Sequence, residues 1–121
     1  MACSGNAPYR KYMKKTLYGN IFADLPRTKR REVFQTLIKD KKLTLERIIS
    51  TGQVTKEGQW LQQKHSEWVV LLKGKAILRF WGKKELLTLK QGDYFFIPKN
   101  LKHRVEWTDP ARKSVWLALH F

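Results

Sequence analysis

Gly92-Asp93-Tyr94-Phe95-Phe96-Ile97-Pro98-Lys99-Asn100-Leu101-Lys102-His103 reads as a turn, a strand and a bend in close succession. Gln91-Gly92-Asp93 is the turn signal. Tyr94 to Ile97 is a short aromatic and apolar run of strand type. Pro98 cannot donate to a hydrogen-bond ladder, so Pro98-Lys99-Asn100 ends the strand and bends the chain. Beyond the bend, His103, Val105 and Trp107 alternate with polar residues, which is the period of a strand with one face turned inward.

The same punctuation continues in both directions. Downstream, Asp109-Pro110 turns the chain and Ser114 to Phe121 closes it with Val115, Leu117, Leu119 and Phe121 on one face. Trp116, Ala118 and His120 share the other face, which makes His120 an expected outer or subunit-interface histidine. Upstream, Leu86 to Leu89, the alternating Ala76, Leu78 and Phe80, and Ser66 to Leu72 each read as a strand, separated by Gly74 and by Trp81-Gly82-Lys83-Lys84. Leu43, Leu45 and Ile49 alternate further back, with Arg47 in their row. Lys29 to Ile38 places Val33, Phe34, Leu37 and Ile38 so that a short helix and a strand both fit. Seven or eight short strands with no long helix predict an all-β sandwich or barrel.

Two spacings resemble the motifs of the cupin superfamily. Gly92, Pro98, Asn100 and His103 are similar to its second motif, with Asn100 in place of a glycine and Trp107 in place of an asparagine. Asn is the residue that best tolerates the positive φ such a glycine supplies, so that change is mild. Glu67 followed by Gly74 resembles the end of the first motif. Motif one spans about 58–74 and motif two 92–107. The resemblance, which covers roughly Leu43 to Phe121, implies a double-stranded β-helix, or jelly roll, in a single domain over residues 17–121 that begins with a short helix or strand; residues 1–16 are small, polar and basic and read as a disordered tail.

The resemblance also implies a metal site built from two histidines and a glutamate of motif one and a histidine of motif two. Glu67 and His103 stand at matching positions. The paired histidines are replaced, by Trp60 and Gln62 in one form of the motif and by Leu61 and Gln63 in the other. Gln62, Gln63 or His65 remain as additional donors. The implied cofactor is a divalent ion of the iron, manganese, nickel or zinc type, weakly held. Without a metal, Glu67 and His103 bond each other or line a polar pocket. The expected pocket inside the barrel comprises Arg47, Trp60, Gln62, Gln63, Glu67, Phe80, His103 and Trp107, and its expected ligand is a small polar or anionic molecule.

Composition narrows the function classes. The chain has 121 residues, 25 Lys and Arg against 10 Asp and Glu, and one cysteine, Cys3. A disulfide framework and a cysteine-rich zinc site are excluded. No apolar run approaches the ~18 residues of a membrane span, and Met1 to Arg10 shows no signal-peptide core, so the cytoplasm is expected. The first 42 residues carry a net +8 and the other 79 a net +7. This charge suits an acidic partner, but no nucleic-acid motif accompanies it. The leading expectation is a small-molecule-binding cupin without an assigned reaction. A metal-dependent oxygenase, isomerase or lyase and a basic nucleic-acid adaptor are the alternatives. Five tryptophans in so small a barrel predict a homodimer using the N-terminal segment and an outer sheet face, with Trp68, Trp81 or Trp116 in the contact.

Overall fold

The computed structural model of the protein describes residues 18–121, so the expected tail over residues 1–16 lies outside the described residues. Eight strands follow one another: β1 (Val33–Asp40), β2 (Leu43–Ser50), β3 (Glu67–Lys73), β4 (Ala76–Phe80), β5 (Leu87–Leu89), β6 (Tyr94–Ile97), β7 (His103–Thr108) and β8 (Ser114–His120). They form a five-stranded sheet in the order β1-β2-β8-β3-β6 and a three-stranded sheet in the order β5-β4-β7. Every pairing is antiparallel. The expected all-β jelly roll is the observed fold. The segment Lys29 to Ile38, which fitted helix or strand, becomes β1 from Val33 onward. No helix among the described residues is long and apolar enough to cross a membrane.

The two sheets face each other across a core of Ile48, Val69, Leu71, Ala76, Leu78, Phe95, Ile97, Val105, Trp116 and Ala118. Trp116 is fully buried, and its indole N–H donates to Ser50 Oγ at 2.9 Å, which satisfies its one polar atom. The rows of β2 and β8 therefore face the opposite way from the sequence expectation. Glu46, Ile48 and Ser50 look inward with Trp116, Ala118 and His120, while Arg47, Leu117 and Leu119 look outward. The sequence expectation put the more apolar row inside. In the structure the outward row of β2 is covered too, so its hydrophobicity does not mark the barrel interior.

Arg47 supplies part of that cover. Its guanidinium donates to the carbonyls of Ile21, Ala23 and Asp24 at 3.2, 2.6 and 3.3 Å, and to Gln35 Oε1 at 2.8 Å. It thereby ties residues 21–24 across the outside of the sheet, and it is not a pocket residue. Strand β7 also departs from simple alternation. Ile77 pairs with Trp107 and Leu78 with Val105, so Glu106 is an extra residue on β7. A bulge of this kind moves the following side chain to the other face. Thr108 is buried instead of Trp107, and its hydroxyl donates to the carbonyl of Gln53 at 2.7 Å. Trp107 is left outward.

The β3–β4 turn depends on Gly74, whose φ of +107° suits glycine alone. A Cβ there would lie 2.1 Å from Ser114 Oγ and 2.8 Å from Ser114 Cα, at the start of β8. Gly74→Ala is expected to cost about 2–4 kcal/mol through strain plus collision with backbone. Urea unfolding checks this; a loss under about 0.5 kcal/mol would contradict the turn geometry.

Candidate functional site

Three inward residues meet at one end of the five-stranded sheet. Glu67 opens β3 and lies directly opposite His120 of β8 in the antiparallel register. Glu46 approaches from β2 on the other side. His120 Nε2 is 2.9 Å from Glu46 Oε1 and 3.9 Å from Glu67 Oε2. Glu46 and Glu67 are fully buried and His120 nearly so. His65, from the loop before β3, reaches the other ring nitrogen: its Nε2 is 2.9 Å from His120 Nδ1, with the rings edge to face. With Nε2–H of His120 donating to Glu46, Nδ1 of His120 is the acceptor for Nε2–H of His65. The result is a directed chain from the partly exposed His65 to the buried Glu46.

His103 stands on the facing sheet. Leu61 and His103 exchange backbone bonds of 2.7 and 3.0 Å, which pins the loop before β3 to the start of β7. The His103 ring is fully buried, with Nδ1 3.1 Å from the Leu101 carbonyl and Phe80 beside it at a centroid distance of 6.4 Å. Asn100, in the bend before it, has a φ of +69°, as its place in the motif requires. A cavity of about 240 Å³ is lined by Glu32, Phe34, Gln53, Val54, Thr55, Leu61 and Val105.

Burial dominates the electrostatics. It raises the Glu67 carboxyl above its ordinary range, against the pull of His120. It raises Glu32 to about 7, with the charges of Glu67 and Glu46 adding to the effect. It lowers His65, helped by the neighbouring His120. It lowers His103 to about 4, although the Leu101 carbonyl favours the protonated ring. Glu67 and Glu32 thus take up a proton more readily than exposed carboxyls, and His65 and His103 less readily than exposed imidazoles.

Of the sequence-expected pocket residues, Glu67, Phe80 and His103 are turned into the barrel. Trp60 packs edge to face on Trp81 at 5.0 Å and under the guanidinium of Arg104, on the β7 face opposite His103. Gln62 is exposed and donates to the Asn100 carbonyl at 3.0 Å. Gln63 is half-buried, and its backbone carbonyl accepts from the Asn100 N–H at 2.6 Å. Arg47 and Trp107 face away. Sequence reasoning missed Glu46 and His120. The signal available was an acid and a histidine at matching ends of two strands, each in the less apolar row.

The donor set does not fit the metal that the motifs imply. Trp60 and Leu61 cannot ligate, Gln62 points to solvent, and His65 is bonded to His120. Among the described residues, no three His, Cys, Asp or Glu side chains are grouped to hold an ion.

The jelly roll with its interior acid–histidine cluster defines the class of protein. The family profile described as "Cupin domain" matches residues 49–120, and the chain belongs to that family. A crystal structure from Ralstonia eutropha JMP134, of a protein provisionally called a mannose-6-phosphate isomerase, is 40% identical over 85% of this chain and 95% of that one, with a TM-score of 0.82. A cupin superfamily protein from Desulfitobacterium hafniense DCB-2 is 12% identical over 80% of this chain and 82% of its own, with a TM-score of 0.65. A DMSP lyase from Ruegeria pomeroyi DSS-3 is 22% identical over 74% of this chain and 46% of its own, with a TM-score of 0.63. These last two share the fold. Comparison with curated proteins finds no match.

The lowered pKa of His103 has a sign that can be tested. The unfolded chain binds a proton on this ring near 6.5, and the folded chain only near 4. Between those values the unfolded state holds more protons, so stability falls as pH drops from 6.5 toward 4. The raised Glu67 and Glu32 act in the opposite direction. The comparison is therefore made between wild type and His103→Gln, and the wild type is expected to lose more of its urea midpoint between pH 7 and 5. Equal losses would show that His103 is not buried neutral.

Proposed function

We propose that this protein binds a small molecule inside the barrel, gripped by Glu67 and His103 and backed by the Glu46–His120–His65 chain. The observation that carries this reading is the burial of Glu46, Glu67, His103 and His120 among the apolar residues of the core. Buried polar groups cost stability unless they are satisfied, and a cluster of them marks a site more often than it marks a core. With Arg47 turned outward, the cluster is rich in acceptors. It therefore suits a ligand that is neutral or cationic and donates hydrogen bonds, such as a polyol or an amine, rather than the anion allowed by the sequence expectation. The neutral imidazole of His103 and the raised carboxyl of Glu67 support general acid–base chemistry on such a ligand.

A thermal-shift panel of polyols, amines and hexose phosphates tests the reading. Mannose 6-phosphate belongs in the panel because of the Ralstonia eutropha relative. A polyol or amine is expected to raise the Tm of wild type and to lose that effect in Glu67→Gln. Stabilisation by anions alone, abolished in Glu67→Gln, would overturn the ligand class. Iron, manganese, nickel and zinc are expected at well below one equivalent in protein purified without chelator. A full equivalent, lost in His103→Ala, would replace this reading with that of a metal-dependent enzyme.

A homodimer is part of the proposal. The outer face of β6, β3 and β8 carries Trp68 against Tyr94 at 5.7 Å and Phe96 against Phe121 at 6.2 Å. Tyr94, Phe96 and Phe121 are exposed. An aromatic patch on one continuous sheet face suits a second copy of the chain. Trp116 is in the core and drops out of the expected contact. Sedimentation at micromolar concentration is expected to give about twice 14.4 kDa, and Tyr94→Lys with Phe96→Lys to give a monomer. A monomeric wild type would remove this part of the proposal.

A further inference from the structure

A second cavity lies away from the acids and histidines of the core. It is an open groove of about 1060 Å³ between residues 27–31, the turn at 51–52 and the turn at 110–113. Arg27, Lys29, Arg30, Arg31 and Lys113 line it, and no carboxylate of a described residue does. None of the five is in an ion pair with a described residue. Among the described residues, Lys113 donates only to the Leu25 carbonyl at 3.4 Å, and the other four side chains make no hydrogen bond. Glu32, the next residue in the chain, faces the barrel cavity beside Phe34 and Val105 instead.

The basic segment is held in place. Thr28 is buried in the middle of it, and its hydroxyl bonds the hydroxyl of Thr51. Gln53 donates from its amide to the Thr28 carbonyl and accepts the Thr51 N–H on its Oε1. This clamp fixes Arg27 and Lys29 on either side. Gly52, with a φ of +79°, lies against Pro110, where a Cβ would come within 3.1 Å of the proline Cβ. That close approach joins the two other walls of the groove.

Like charges held together without counter-charges repel one another, which is a standing cost that a bound anion relieves. The chain's own N-terminus is no candidate for the role, since residues 1–17 contain four Lys and Arg and no acid. Arginine forks match phosphate oxygens in bidentate geometry. Five cations spread along a groove of this length exceed what one phosphate needs. Among the described residues the groove has no aromatic lining residue, so they offer no platform on which bases stack.

We propose that this groove binds a small anion carrying several adjacent phosphates, read through its phosphates alone. The site is separate from the barrel pocket and does not depend on it. Isothermal titration calorimetry on the full chain at low salt, with inorganic tripolyphosphate and with ATP as probes, tests the proposal. Both are expected to bind, with affinities within about threefold of each other, since the base has nothing to stack on. The R27Q/R30Q/R31Q variant is expected to bind tripolyphosphate at least about tenfold more weakly. The K39Q/K41Q/K42Q variant removes the same charge at the far end of β1 and is expected to change binding by less than about twofold. Glu67→Gln is expected to leave it unchanged. Absent binding of tripolyphosphate would overturn the proposal, and so would equal losses in the two triple variants, which would reduce the effect to net charge. ATP bound far more tightly than tripolyphosphate would overturn the reading of phosphates alone. A DNA or RNA oligonucleotide that binds while tripolyphosphate does not would assign the groove to a nucleic acid instead.

Discussion

His120 sits between two buried carboxylates, and the register of the larger sheet depends on that placement. Taking a carboxylate out of water costs several kcal/mol, and the cost is offset only where a partner is held in good geometry. Glu46 on β2 and Glu67 on β3 both converge on the one ring that β8 carries between them. A slip of β8 by one residue would turn His120 to the outside and leave both acids facing apolar wall. The same slip would expel Trp116, whose bond to Ser50 completes the row. Strand β8 is therefore the seam of the barrel, and its inward face is set by polar satisfaction as much as by hydrophobicity.

Arg47 is the counterpart on the outer face. Its guanidinium gathers three carbonyls of residues 21–24 and the amide of Gln35, so a segment without regular structure becomes a cover for β2. This explains why Ile49 and Arg47 are buried although they point away from the barrel. It also divides the charges of the molecule. The interior holds Glu46, Glu67, His103 and His120, while Arg27, Lys29, Arg30, Arg31 and Lys113 line an open groove. A protein with so large a positive charge thus buries acids in its core and lines an open groove with cations.

The Glu106 bulge shows how small a departure decides a side chain's role. Before it, His103 and Val105 follow the inward alternation. After it, Thr108 takes the inward place and Trp107 the outward one. The motif position that holds an asparagine in relatives is therefore not a pocket position in this chain. Something similar happened at the first motif, where the histidine positions became Trp60, Leu61, Gln62 and Gln63. Trp60 stacks outside and Leu61 pairs with His103 by its backbone. Of the positions that the motif resemblance pointed to, Glu67 and His103 are buried, and His65, His120 and Glu46 form a hydrogen-bonded group beside Glu67.

The jelly roll, the boundaries of β3 to β8 within a residue or two and the Asn100 bend were determined by the sequence alone. Those features rest on local signals: turn residues, period-two alternation and motif spacing act over a few residues and are present in every stretch of chain. The facing of β2 and β8, the role of Arg47, the fate of Trp107 and the meeting of Glu46, His65 and His120 were decided only by the tertiary structure. Each depends on what lies across a sheet or behind it. When both rows of a strand are covered, hydrophobicity no longer distinguishes inside from outside. A partner 74 residues away in the chain, as Glu46 is from His120, leaves no trace in the residues next to it.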